Sequence, residues 1–105
     1  MTYSSTEHPE ATDELLDAIS YYHGRAQIGA HFASHATRAV RDIESDPNAW
    51  PPVRDWDELP TVRSRKVRAF PYRVVYYVSD DYGIVIIAYA HERRKPRYWS
   101  ARAGN

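Results

Sequence analysis

The sequence predicts an α+β fold in which an N-terminal antiparallel helical hairpin packs on a small, mainly antiparallel sheet of three to four strands. Three observations carry that expectation. Two segments before Asp46 repeat apolar residues at helical spacing, and two segments after Pro71 are rich in β-branched and aromatic residues whose side chains alternate between two faces. Between the latter two, Asp80-Asp81-Tyr82-Gly83 supplies turn formers, with a glycine for the position that needs positive φ. A chain of 105 residues with 43% hydrophobic and 13% aromatic content fits one domain, 1–105, and holds enough apolar surface for a compact core.

Taken in order, residues 1–7 carry a brief edge-strand pattern at Tyr3-Ser4-Ser5. Pro9 suits a helix start, and Glu10 and Asp13 in the first turn are favoured by the helix dipole. Ala11, Leu15, Ala18, Ile19 and Tyr22 then predict a helix over 9–23, closed by Gly24. A second apolar stripe, Ile28, Phe32, Ala36, Ala39, Val40 and Ile43, ends at Asp46-Pro47. So short a link makes the two helices antiparallel, and Gly29, Ala33, Ala36 and Ala39 allow close approach. Residues 47–61, with four prolines, Trp50 and Trp56, read as a stiff loop anchored by its tryptophans.

Residues 61–68 carry Arg63, Arg65, Lys66 and Arg68 and suit a charged strand near a sheet edge. Residues 72–78 and 84–90 form the predicted antiparallel hairpin. Tyr72, Val74, Tyr76 and Val78 share one face of the first strand; Arg73, Val75, Tyr77 and Ser79 share the other. Arg73 starts one strand and His91 ends its neighbour, so both fall at the same edge of the sheet. Pro96 discourages a helix beyond it, and the tail reads as extended or one short turn, with 101–105 disordered.

Composition narrows the chemistry. The absence of cysteine excludes disulfides, thiol catalysis and cysteine-type zinc sites. No apolar run approaches the roughly 20 residues of a membrane span, and no leader-like segment opens the chain, so a soluble cytoplasmic protein is expected. Net charge is zero, yet residues 1–58 hold eleven acidic and four basic side chains and residues 59–105 hold three acidic and ten basic. Solvated faces that pair within the fold explain such a split, as does a basic surface facing an anionic partner. His31 and His35 stand four apart on the second helix without an evident third ligand, so no metal site is expected. There is no phosphate-cradling glycine loop and no Gly-x-Ser-x-Gly elbow, and nothing calls for a cofactor. Arg65, Lys66, Arg73, Arg93, Arg94, Lys95 and Arg97 interleave with Tyr72, Tyr98 and Trp99. That mixture suits phosphate contacts with base stacking, although an acidic protein segment would satisfy the same cations.

Phe70-Pro71-Tyr72-Arg73-Val74-Val75-Tyr76, followed by a hairpin and His91-x-Arg93-Arg94-x-Pro96-x-Tyr98-Trp99, resembles the RelE/ParE superfamily of bacterial toxins, and its ParE branch most. Tyr21-Tyr22, Ile28-Gly29-x-x-Phe32 and Pro47-x-x-Trp50-Pro51 extend the resemblance over nearly the whole chain. It implies the toxin of a type II toxin-antitoxin module of the plasmid-stabilising kind, neutralised by a cognate antitoxin. In the ParE branch the target is DNA gyrase, which is poisoned without chemistry by the toxin. In the RelE branch the toxin cuts mRNA on the ribosome. Under that alternative His91 is the base or acid, Arg73 and Arg93 are the cations for developing charge, and Tyr98 is a stacking group or proton donor. Arg65, Lys66, Arg94, Lys95, Arg97 and Trp99 then bind nucleic acid or a partner. Phe70-Pro71 and the His91-x-Arg93-Arg94-x-Pro96 tail favour the gyrase reading. An inactive, antitoxin-binding member is a third possibility.

Overall fold

The computed structural model describes residues 3–104. Its elements are β1 (Ser5–Glu7), α1 (Pro9–Ala26), α2 (Gly29–Ser45), β2 (Val62–Lys66), β3 (Tyr72–Ser79) and β4 (Gly83–His91), followed by a 3-10 turn at Ser100–Arg102. One sheet has the order β1-β4-β3-β2; β2, β3 and β4 are antiparallel to their neighbours, and β1 joins β4 in parallel. The α+β architecture expected from sequence is the one observed. The N-terminal strand begins at Ser5, later than its sequence pattern, and Tyr3 instead donates its N–H to the Glu44 carbonyl at 2.8 Å. Met1 and Thr2 lie outside the described residues.

At the start of α1, Pro9 occupies the first turn and the His8 ring accepts from the Glu10 N–H at 3.2 Å. The helix does not stop at His23. It runs through Gly24 to Ala26, where Arg25 lies 5.0 Å from the Tyr21 ring one turn back, and it ends at Gln27 in the left-handed region, φ 56. A helical glycine costs only about 1 kcal/mol, too little by itself to end a helix. Gly29 opens α2 against α1: a Cβ there would stand 2.7 Å from the Ile19 carbonyl oxygen and 2.8 Å from the His23 Cβ. This is the close approach that the small residues imply.

The helices cover one face of the sheet. Phe32, Ile43, Ala11 and Ala18 pack there with Val74, Tyr76, Ile84, Ile86 and Tyr89, and the Tyr76 hydroxyl donates to the Pro47 carbonyl. The far face is also apolar, with Val62, Val75, Tyr77, Ile87 and Ala88 covered by Trp99, Trp56 and Val53. Both faces can be apolar because β4 carries a bulge. Val75 pairs with Ala88 and Tyr76 with Ile86, so Ile87 is the additional residue. Ile87 and Ala88 both turn to the far face, and Tyr89 returns to the helix side. The turn after β3 places Gly83 at φ 71, as its sequence requires.

Residues 46–61 wrap the β2 edge. Pro52 bridges Arg63, Trp50 packs toward the helix-side core, and Trp56 reaches the far face, where its indole N–H donates to the Pro60 carbonyl at 2.8 Å.

Two glycine substitutions should move stability in opposite directions. Gly24→Ala, with nothing within 4 Å of its new methyl, is expected to raise the unfolding midpoint by about 0.5–1 kcal/mol, while Gly29→Ala lowers it as the helices are forced apart. Urea denaturation of both variants is the check.

Burial, with the charge of Asp46 adding to it, pushes the Tyr76 phenol up to about 12, against a partial offset from Arg63. Because this folded-state value lies above the ordinary 10, its contribution is complete below pH 10 and is lost as pH rises toward 12. The melting temperature should therefore fall over that window, with a shallower fall in Tyr76→Phe. A fall equally steep in the variant would assign the loss to other groups.

Candidate functional site

The ends of β3 and β4 pair Tyr72 with His91 and Arg73 with Ala90. Side-chain alternation sends the two residues of interest to different sides. Arg73 points to the far face, where its Nε donates to the buried Ser64 hydroxyl at 2.8 Å. It lies in a cleft of about 350 Å³ floored by Val75, Ala90 and Trp99 and rimmed by Arg54, Lys95 and Arg97. Asp55 and Glu92 also line this cleft, so its charge is mixed but predominantly positive.

His91 turns its ring toward the helix side, 5.0 Å from Tyr72, into a smaller groove shared with Asp17, Tyr21 and Arg94. Its Nδ1 accepts the Arg93 N–H at 3.0 Å. Arg73 and His91 do share a sheet edge, as their positions in the strands imply; the His91 ring packs on Tyr72 on the helix side, while His91 also lines the far-face cleft with Arg73 and Tyr98. The backbone turns after His91, where its carbonyl accepts the Arg94 N–H at 3.0 Å. The Arg94 guanidinium then lies 3.9 Å from the Tyr98 ring centre. Arg97, at φ 60, donates to the Asp55 carbonyl at 3.0 Å and ties the tail to the loop before β2.

Tyr98 and Trp99 are committed to the fold. The Tyr98 hydroxyl donates to Glu14 of α1 at 2.7 Å, and burial together with that bond pushes the phenol well above its ordinary value. It is held as a proton donor to Glu14. Trp99 is 4% exposed, with its ring 5.3 Å from that of Trp56, which leaves no face for a stacked base.

Arg65 and Lys66 close β2 at the same end of the sheet, where Lys66 pairs with Arg73. Arg65 lies over the Trp50 ring at 4.5 Å and bonds Asp42 of α2 at 3.1 Å. Lys66 reaches the Phe70 carbonyl and pairs with Glu92 at 3.4 Å. The candidate residues thus divide. Arg73, Lys95 and Arg97 gather around the far-face cleft with Arg94, and His91, Tyr98 and Trp99 also line it; the His91 ring packs toward the helix side; Tyr98, Trp99 and Arg65 anchor elements to one another; Arg93 is exposed on the turn after β4. His31 and His35 meet edge to face at 4.6 Å beside Phe70, and among the described residues no group of three or more metal-ligating side chains assembles.

Sequence reasoning missed Glu14 and Arg102. Residues 101–104, expected to be disordered, close the structure: the Arg102 side chain is 11% exposed and bonds Glu14 and the Ile87 carbonyl, each at 3.0 Å, with Glu10 at 3.6 Å. Asn105 lies outside the described residues. The same Glu14 carboxylate accepts the Tyr89 N–H at 3.1 Å, next to the bulge. The only sequence signal was an arginine in an otherwise small-residue tail, and it has meaning only beside an acid from the first helix.

Fold and site together define a small α+β protein with a predominantly basic cleft beside a sheet edge. A family model described as "ParE toxin of type II toxin-antitoxin system, parDE" matches residues 8–96, and the chain belongs to that family. No curated protein matches it. Membership gives the chain a toxin role and implies an antitoxin partner. Among the described residues, no helix is long and apolar enough to cross a membrane.

Removing one member of the Glu14 cluster should be costly, because it strands its buried partners. Arg102→Ala is expected to lower stability by about 2–4 kcal/mol, and Glu14→Ala by a similar amount, with the double variant far from additive. Chemical denaturation of the three variants measures the coupling; additive losses would show that the two groups do not act together.

Proposed function

We propose that this chain arrests growth by binding DNA gyrase as a protein target, performs no covalent chemistry itself, and is neutralised by an antitoxin. One observation carries the reading: the Tyr98 hydroxyl, the proton donor that RNA cleavage would need beside Arg73 and His91, is bonded to Glu14 at 2.7 Å. A transesterification site places a base, a cation and an acid around one phosphate. Here Arg73, His91 and Tyr98 all line the far-face cleft, but the His91 ring packs on Tyr72 at 5.0 Å, its Nδ1 accepts the Arg93 N–H, and the Tyr98 hydroxyl is committed to Glu14. The apolar floor and charged rim of the far-face cleft suit a segment of a protein partner, with the Arg73 fork available to a carboxylate.

The antitoxin is expected to carry an acidic and apolar C-terminal segment that orders on binding and covers part of the sheet or the helical hairpin. Attraction between that segment and the basic strands and tail should make association fast and salt-sensitive.

Growth arrest, ribosome-associated mRNA cleavage and gyrase supercoiling should be measured for the wild type, Arg73→Lys and His91→Gln, with folding checked for each. Gyrase poisoning predicts that His91→Gln is nearly silent, that Arg73→Lys is mild because charge is kept, and that no mRNA cut sites appear. Ribosome-dependent cleavage that drops roughly a hundredfold in either variant, with supercoiling untouched in the wild type, would replace this reading with the RNase one.

A further inference from the structure

A second cleft, of about 340 Å³, lies on the other side of the sheet between α2 and the β2–β3 corner. His35, Arg38 and Asp42 line it from α2, and Arg65, Lys66 and Arg68 from the strands and their turn. Asp42 does not leave it negative. Its carboxylate lies 3.1 Å from Arg65 and 3.4 Å from Arg38, so it orients two guanidinium groups and is itself neutralised. Arg65 is further fixed by Trp50 at 4.5 Å and by the Lys66 carbonyl at 2.7 Å. Arg38 remains 77% exposed, and a polar hollow with Thr37, Arg41 and Ser45 continues the positive surface along α2.

The turn that brings Arg68 to this cleft holds Ala69 at φ 70, a conformation that disfavours a side-chain-bearing residue. The Phe70 N–H closes the turn on the Val67 carbonyl at 3.3 Å, and the Lys66 ammonium caps the Phe70 carbonyl. Position and charge are thus maintained at some cost.

The lining also selects among anions. Phe70 is only 5% exposed, so the cleft offers no open aromatic platform of the kind that single-stranded nucleic acid stacks on. It also presents no exposed large apolar side chain to anchor a peptide. Guanidinium forks and helix hydroxyls are the donors that phosphate oxygens take, while the Lys66 ammonium is held by the Phe70 carbonyl and Glu92. At about 1.5 Å per residue, the 17 residues of α2 run roughly 25 Å, long enough to follow several phosphates of a duplex.

We propose that this cleft and the adjoining face of α2 bind the phosphodiester backbone of duplex nucleic acid, without reading sequence. The site is separate from the far-face cleft and does not depend on gyrase being the target. The test is fluorescence anisotropy of the purified chain with a labelled mixed-sequence DNA duplex of about 20 base pairs, between about 50 and 200 mM salt. Binding should weaken with salt at a slope of about −0.9 per phosphate contacted, so roughly −3 to −4 for the wild type. Arg38→Gln and Arg68→Gln should each make the slope shallower by about 1 and reduce affinity several-fold. Arg38→Glu and Arg68→Glu should each reduce affinity tenfold or more, while Arg25→Glu, the same charge change on α1, should stay within about twofold of wild type. Arg68 lies on an exposed turn, so its variants keep the test valid if changes at Arg38 disturb the fold. Absence of duplex binding at the lowest salt would overturn the proposal, as would equal losses from Arg25→Glu and Arg68→Glu. Displacement of the duplex by a poly-glutamate peptide at lower charge concentration would likewise overturn it, in favour of an acidic protein segment.

Discussion

The structure depends on a sheet that must be buried on both sides while only one side has helices. In β3, Val74 and Tyr76 face the helical hairpin and Val75 and Tyr77 face away, and all four are buried. Each buried aliphatic side chain stabilises the fold by about 1.5–3 kcal/mol, so a far face left open to water would forfeit much of the domain's margin. The cover is assembled from irregular chain. The proline-rich loop contributes Val53 and Trp56, the tail contributes Trp99, and Arg97 joins loop to tail through the Asp55 carbonyl. The aromatics set down by those segments therefore serve as a lid on β-structure, and the far-face cleft is the part that the lid leaves open.

This arrangement explains which features were legible in the sequence. The helices announced themselves through apolar spacing, and β3 through alternation, because each has a face whose surroundings differ from those of the other. In β4 every position from Ile84 to Ala88 is apolar, so nothing in the sequence marks the parity change at Ile87. Gly24 resembles a stop, but one glycine does not end a helix: Arg25 and Ala26 still belong to α1, which closes where Gln27 turns left-handed and caps the last carbonyls. The tail was the largest omission. Arg102 gains its value from Glu14, 88 residues away, and such a pairing has no local signature.

The charge division between the halves of the chain has a similar resolution. Asp42 meets Arg65, Glu14 meets Arg102, and Tyr89 and Tyr98, from the basic half, donate to Glu7 and Glu14. Acidic helices and basic strands are thus partly each other's counterions. The sequence cluster of cations and aromatics was read as one surface; the fold sorts it into an anchor at Tyr98 and Trp99, a far-face group around Arg73, and Arg65 on the helix side, where it joins Arg38 and Arg68 from outside that cluster. Alternation accounts for the first separation, since Arg73 and His91 are on strand positions of opposite parity. The recruitment of Arg38 required knowing which face of α2 meets β2.

The Glu14 cluster has a consequence for how the protein is made. It joins the first helix to the last turn, and β1, from the start of the chain, finds its place only against β4. Contacts of such long separation are gained after the loop-closure entropy between their ends has been met. A nascent chain still attached at its C-terminus therefore holds a helical hairpin with its acid unpartnered and its far face uncovered.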